Sequence, residues 1–274
     1  MSKIFRIPAN SKAYLFATVD EATGKFDVTK LAVVPRPAPF PTPWGYWKLE
    51  EESGNRIDST GNGHTLTPDG YAHSPTQATG KVGNCAEFVG DGYSDSPHFQ
   101  ISDSFPLGTD QNFTVAFWLK STRSDTGSMI RYFYLLAVDY ADWWNQIDFE
   151  LWCGNPYEVD GLYCWATAGY YDEEYNWHAV EAATDPNSYT LEENTWHFIC
   201  FYYDGGGIYL EVDNALVASG LGKHGMTVQP DMLRLGFPDN SQTVHLDELG
   251  IWDVALTQAQ REYLWNNGSG RSLY

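Results

Sequence analysis

Positive charge is what this chain has least of. In 274 residues, 16 lysines and arginines stand against 36 aspartates and glutamates, a formal net charge of −20. Such a chain repels phosphate backbones and anionic headgroups, and it has no basic stripe to displace counterions or grip lipid, which argues against nucleic acid and membrane as partners. Long apolar runs are also missing. No stretch approaches the roughly 18 to 20 apolar residues of a membrane-crossing helix. The opening M-S-K-I-F-R-I-P-A-N lacks the basic segment and apolar core of an export signal, so cytoplasmic synthesis in soluble form is expected. Cys85, Cys153, Cys164 and Cys200 follow no C-x-x-C zinc spacing, and the default for each is a buried thiol acting as a small apolar side chain. The histidines at 64, 73, 98, 178, 197, 224 and 245 form no H-x-H or H-E-x-x-H group, which favours structural roles. There is no glycine-rich phosphate loop and no G-x-S-x-G elbow.

What the chain has in quantity is aromatic and turn-forming residues: 11 Trp, 18 Tyr, 25 Gly and 14 Pro. That composition favours many short strands over helices. Residues 1–34 read as a β-arm or small hairpin, with I-F-R-I, A-Y-L-F-A-T-V and F-D-V-T-K-L-A-V-V around a D-E-A-T-G-K turn. Residues 35–43, P-R-P-A-P-F-P-T-P, have fixed φ angles and few amide donors and read as a stiff polyproline II spacer. From residue 44 to 274 the pattern is strand, turn, strand. F-T-V-A-F-W-L-K places Phe113, Val115, Phe117 and Leu119 on one face. W-H-F-I-C-F-Y-Y and I-Y-L-E-V-D flank a hairpin at Asp204-Gly205-Gly206-Gly207. M-L-R-L-G-F and V-H-L-D-E-L-G-I-W continue the alternation. The one good helix signal is T-Q-A-Q-R-E-Y-L-W-N-N-G, with Thr257 as cap, Gln260 closing a capping box and Gly268 as the stop.

The motifs G-Y-W-K-L-E-E-E-S-G near Gly45, D-S-T-G-N-G-H near Asp58 and G-K-V-G-N-C-A-E-F-V-G near Gly80, with F-T-V-A-F-W-L-K, W-H-F-I-C-F-Y-Y-D-G and L-D-E-L-G-I-W-D-V-A-L-T-Q-A-Q, resemble laminin-G-like modules of the bacterial and phage type. These belong to the concanavalin A-like group, and the resemblance runs from Trp44 to Tyr274. It implies an all-β fold: a two-sheet antiparallel jelly-roll sandwich, here with an N-terminal β-arm and one short C-terminal helix. It does not imply a reaction, because the fold hosts lectins, adhesion modules and glycosidases alike.

The candidate site centres on W-W-N-Q-I-D-F-E-L-W, 143–152. Alternation puts Ile147, Phe149, Leu151 and Cys153 on one face and Gln146, Asp148, Glu150 and Trp152 on the other. Pairing with L-Y-C-W-A-T-A sets Cys153 opposite Cys164, Leu151 opposite Ala166, Phe149 opposite Ala168 and Trp152 opposite Trp165. The candidate carbohydrate-binding residues are Trp143, Trp144, Asp148, Glu150, Trp152, Trp165, Tyr171 and Trp177. Flat rings offer apolar faces to sugar C–H groups, while carboxylates and amides bond hydroxyls. The other reading of the same residues is a loop-rich surface or protein interface, where Trp and Tyr are also enriched.

The strand also resembles the E-I-D-x-E of laminarinase-type retaining glucanases, but Gln146 stands at the nucleophile position. An amide cannot form a glycosyl-enzyme intermediate, so no catalytic residue is expected. Cys153 and Cys164 are close enough in register for a cross-strand disulfide, although synthesis in a reducing cytosol favours thiols. The resemblance further implies a structural Ca²⁺ at the sheet rim, with Asp58, Asn62 and Asp247 as oxygen donors. The alternative is an Asx-type turn at Asp58 and an Asp247 bonded to backbone amides.

Modules of this group usually work outside cells, yet no export signal is present, and a virion reconciles the two. The resulting expectation is a non-catalytic decoration or adhesion subunit of a phage or virus. It would be homo-oligomeric or part of a larger assembly through residues 1–43, displaying a lectin-like body to surface glycans or neighbouring proteins. The alternatives are a free-standing carbohydrate-binding protein and a glycoside hydrolase of the concanavalin A-like fold.

Overall fold

A computed structural model describes residues 11–20, 25–35, 40–68, 74–90, 97–102, 105, 111–122, 129–137, 147–154, 163–171, 177–183, 191–224, 232–236 and 243–274. The chain divides into two compact units, Met1–Phe40 and Pro41–Tyr274. In the first, β1 (Ser11–Asp20) and β2 (Lys25–Pro35) form the antiparallel hairpin read from the sequence. Register places Ala13 opposite Val33, Leu15 opposite Leu31, Ala17 opposite Val28 and Val19 opposite Phe26, a row of apolar pairs on one face. The unit boundary falls within the expected spacer, of which residues 36–39 lie outside the described residues, as does I-F-R-I at 4–7.

The second unit is the expected antiparallel sandwich. One sheet has eight strands. Its order is β15 (Ala215–Leu221), β14 (Gly207–Val212), β13 (His197–Tyr203), β8 (Phe113–Ser121), β17 (Thr243–Trp252), β6 (Asn84–Val89) and β5 (Thr76–Thr79), with β3 (Gly45–Trp47) also paired to β17. The other has seven strands. Its order is β12 (Trp177–Ala183), β11 (Tyr163–Tyr171), β10 (Ile147–Gly154), β9 (Met129–Ala137), β16 (Met232–Gly236), β7 (His98–Ser102) and β4 (Thr67–Pro68). Between them lies the core. Phe113, Val115, Phe117 and Leu119 of β8 meet Phe99, Leu233 and Leu235 of the opposite sheet, and Phe88 stands edge-on to Phe99 at 5.5 Å. The hairpin at Asp204 forms as expected: Gly205 takes φ +88°, which its missing Cβ allows, and Asp204 Oδ1 accepts a bond from Gly206 N.

Alternation along β8 predicts one buried face, but both are buried. Thr114, Ala116 and Trp118 are as enclosed as their neighbours, because the C-terminal segment lies over the outer face of the eight-stranded sheet. Thr114 Oγ1 donates to Val254 O and accepts from Leu256 N, both at 2.8 Å. From helix α1 (Gln258–Trp265), Arg261 grips Glu211 with two bonds of 2.8 and 2.7 Å and stacks on Tyr202. The capping box forms at Thr257 and Gln260, but the helix ends earlier than expected, at Asn266 rather than Gly268. Asparagine tolerates the left-handed conformation required there, φ 53° and ψ 49°.

Candidate functional site

The β10–β11 register is the one read from the sequence: Cys153 opposite Cys164, Trp152 opposite Trp165, Leu151 opposite Ala166, Phe149 opposite Ala168. Directly paired residues share a face of a sheet, so rows can be followed across strands. The row Leu235–Phe133–Leu151–Ala166–Ala182 begins and ends on residues with no exposed surface in the core. The row Leu233–Leu135–Phe149–Ala168–Val180 likewise runs between two buried residues.

The alternate rows therefore belong to the outer face. Glu150 pairs with Thr167, and Thr167 with Glu181, which is exposed. Trp152 and Trp165 lead to Ala183, also exposed. Asp148 pairs with Gly169 and Gly169 with Ala179, while Tyr171 pairs with Trp177. Six of the eight candidate residues, Asp148, Glu150, Trp152, Trp165, Tyr171 and Trp177, thus share one face of three adjacent strands. An aromatic pair lies at each end of the strip and carboxyl-bearing residues lie between. From 165 to 171 the strip runs about 20 Å at roughly 3.3 Å per residue. Trp143, Trp144 and Gln146 lie outside the described residues.

The strip occupies one edge of its sheet, since β12 is the terminal strand. There the sandwich is drawn tight. A Cβ on Gly220 of β15 would lie 2.0 Å from Glu181 O of β12, so only glycine fits where the two sheet edges approach.

Sequence reasoning overlooked the other half of this face. β9 brings Tyr134 opposite Glu150 and, past a bulge at Tyr132, Arg131 opposite Trp152. β16 then sets half-buried Arg234 opposite Tyr134, and β7 sets Gln100 opposite Arg234. The alternation of M-I-R-Y-F-Y-L-L was legible as a strand pattern, but its place beside β10 was not.

The rim acids do different work. Asp58 is buried, and its carboxylate accepts from Tyr46 N at 3.1 Å, Thr60 N at 2.9 Å, Thr60 Oγ1 and His64 N. This is a loop-organising Asx arrangement. Asn62 turns its amide to Trp44 O at 2.9 Å. Asp247 Oδ2 accepts from Lys81 N at 2.8 Å and Val82 N at 2.9 Å, while Oδ1 is buried without a partner. Both contacts follow the turn-and-amide alternative, and among the described residues no three His, Cys, Asp or Glu side chains are grouped to hold a metal ion. The Asp58 carboxylate is taken up by these loop amides and the Thr60 hydroxyl. Asp247 Oδ1 and Glu248 Oε1 are buried carboxylate oxygens with no hydrogen-bond partner.

Burial pushes the Asp247 carboxyl up to about 8 against the pull of its two amide bonds, with Glu248 adding repulsion. Burial likewise raises Glu248 to about 7 although the Tyr46 hydroxyl donates to it. Elsewhere, Cys85 and Cys200 are buried thiols. His197 bonds Asp213 at 2.7 Å and His245 pairs with Glu87 at 3.1 Å, positions that tie strands together.

The family model described as the concanavalin A-like lectin/glucanases superfamily matches residues 91–260, more than half of the chain. The chain belongs to this family. Comparison with curated protein sequences gives no match. Among solved structures, the chain is similar to domain 4 of AbnA, a GH43 extracellular arabinanase from Geobacillus stearothermophilus, in complex with arabinotriose. That likeness has TM-score 0.55 and 19% identity, covering 84% of this chain and 98% of that one. It is also similar to a botulinum neurotoxin type C structure described by its interaction with two ganglioside molecules (0.61, 10% identity, 82% and 51% covered). A third likeness is the binding domain of botulinum neurotoxin DC in complex with rat synaptotagmin II (0.60, 9%, 82% and 51%). The chain spans about half the length of the toxin structures. At these identities the likeness concerns the fold, and the family itself includes both lectins and glucanases.

Proposed function

We propose that this protein is a non-catalytic glycan-binding module, holding sugar along the outer face of β10, β11 and β12. The observation that carries the reading is the register that sets Trp152 against Trp165 and Tyr171 against Trp177, with Asp148 and Glu150 between them on the same face. Aromatic pairs at both ends suit stacking on pyranose rings, and carboxylates between them suit bonds to hydroxyls. Family membership supports the reading, as do similar structures whose descriptions name arabinotriose and gangliosides.

Cleavage is not part of the proposal. The glucanase-like strand carries glutamine at position 146, where a retaining enzyme needs a carboxylate nucleophile. Incubation with β-glucans should release no reducing ends. Robust turnover abolished by Glu150→Gln would contradict this.

The setting we propose is a virion, with the body displayed by a phage or viral particle and the hairpin of residues 11–35 seated on neighbouring subunits. Binding on a glycan array is expected to vanish in Trp152→Ala and in Trp165→Ala; retention in both would remove the face from consideration. Loss of assembly on deleting residues 1–40 supports the virion setting, whereas normal assembly of the truncated chain defeats it without touching the glycan reading.

A further inference from the structure

Cations are scarce in the second unit: ten of the 16 lysines and arginines fall there, against 33 acids. Three of its arginines are committed to the fold. Arg56 lies over Phe99 and pairs with Glu51, Arg261 locks Glu211, and Arg271 stacks on Tyr263 and bonds Asn266 at 2.6 Å. Two others come to the candidate face. Arg131 continues the row Trp152–Trp165, and Arg234 heads the row Tyr134–Glu150. The face is therefore polarised along the strands. At its Arg131 end, register sets an arginine opposite Trp152 and Trp152 opposite Trp165, while Asp148 and Glu150 hold the middle positions of the same face.

We propose that the Arg131 end takes a sugar bearing a carboxylate, and that the face as a whole selects glycans with one such acidic residue followed by neutral ones. The inference rests on the glycan-binding reading above and names its ligand class. Arginine's planar fork matches a carboxylate with two parallel bonds, an interaction about twice as strong as a neutral hydrogen bond. A second carboxylate further along would meet Asp148 and Glu150, so a polyanion is disfavoured. The net charge of −20 does not forbid the site, because at physiological salt fields are screened beyond about 8 Å and the local arginine decides. The acid could be a sialic acid or a uronic acid; the chemistry is shared.

The test is titration of the full chain with sialyllactose, with a neutral oligosaccharide capped by a single glucuronate, with the carboxyl-reduced form of each, and with an oligogalacturonate. At least one capped glycan should bind about tenfold more tightly than its reduced form, and the oligogalacturonate should bind more weakly than that glycan. Whichever capped glycan shows the preference identifies the acid. Arg131→Gln should abolish the preference, bringing the affinity for the capped glycan down to that for its reduced form, with an unchanged melting curve. Arg131 serving only as a stacking partner for Trp152 would lower affinity for acidic and reduced forms alike. Equal binding of acidic and reduced forms by the wild type, or a preference surviving in Arg131→Gln, overturns the proposal and leaves glycan binding intact. Failure of every glycan to bind overturns both.

Discussion

The two sheets of the sandwich share one core but differ on their outer faces. Around β8, the eight-stranded sheet is covered on both sides. Behind β8, Trp118 packs against Phe198 at 5.4 Å and beneath Lys81 at 4.6 Å, and α1 is fastened by the Arg261–Glu211 pair. The seven-stranded sheet shows a polar and aromatic outer face, with exposed Thr67, Glu181 and Ala183 and half-buried Gln100 and Arg234 among its described members. Both sheets carry tryptophan on an outward row. On the covered sheet it fills space; on the other, register sets Trp152 opposite Trp165 in a row that ends on exposed Ala183, and that placement is what the proposed ligand site rests on.

The comparison would break if tryptophans on the two faces weighed alike. Trp118→Ala is expected to cost about 3 to 5 kcal/mol, the usual range for emptying a buried aromatic site. Trp152→Ala should stay within about 1 kcal/mol, as at a surface position. Urea denaturation of both variants measures this, and equal losses would mean the strip is core. Next in size, Arg261→Met strands Glu211, 7% exposed, without its partner. It should cost on the order of 3 kcal/mol and loosen α1 first, as hydrogen exchange in residues 253–274 would report.

A third expectation concerns pH. Asp247 and Glu248, raised by burial to about 8 and about 7, hold protons more tightly folded than unfolded, where ordinary values of 3.8 and 4.5 apply. Within that window the folded state binds more protons. The contribution of these two groups to stability is therefore fullest at low pH, falls as pH rises toward about 8, and levels off above it. A loss on the order of 2 kcal/mol between about pH 5 and pH 8 is expected from denaturation midpoints. Asp247→Asn should flatten most of it. Millimolar Ca²⁺ at about pH 8 should recover part of the loss if Asp247 Oδ1 and Glu248 Oε1 take the cation; no response would leave the rim without a calcium role. The smallest effect belongs to the arm: removing residues 1–40 should shift the melting temperature of the rest hardly at all, since the two units are separately compact.

The sequence made much of the second unit legible because local rules and tertiary need agreed there. Glycines at 205–207 allow one hairpin, and Thr257 with Gln260 starts one helix. The face of β10–β11 was legible for the same reason. Leu151, Phe149, Ala166 and Ala168 admit one register that buries them together, and a slip of one residue would expose all four. What stayed hidden depended on long-range pairing. β16 inserts beside β9 from about a hundred residues further on, so Arg234 and Tyr134 join Glu150 through no local signal. The burial of Thr114 and Trp118 was hidden likewise, because alternation predicts one covered face and the second cover arrives from the C-terminus.

The central claim is best tested by hydroxyl-radical footprinting of the wild-type protein, alone and saturated with a glycan it binds, with oxidation read residue by residue by mass spectrometry. Trp152, Trp165, Tyr171 and Trp177 should be oxidised in the free protein and protected together in the complex, while Trp118 and Trp252 stay protected in both. Protection elsewhere with those four unchanged, or no oxidation of them in the free protein, would contradict the account.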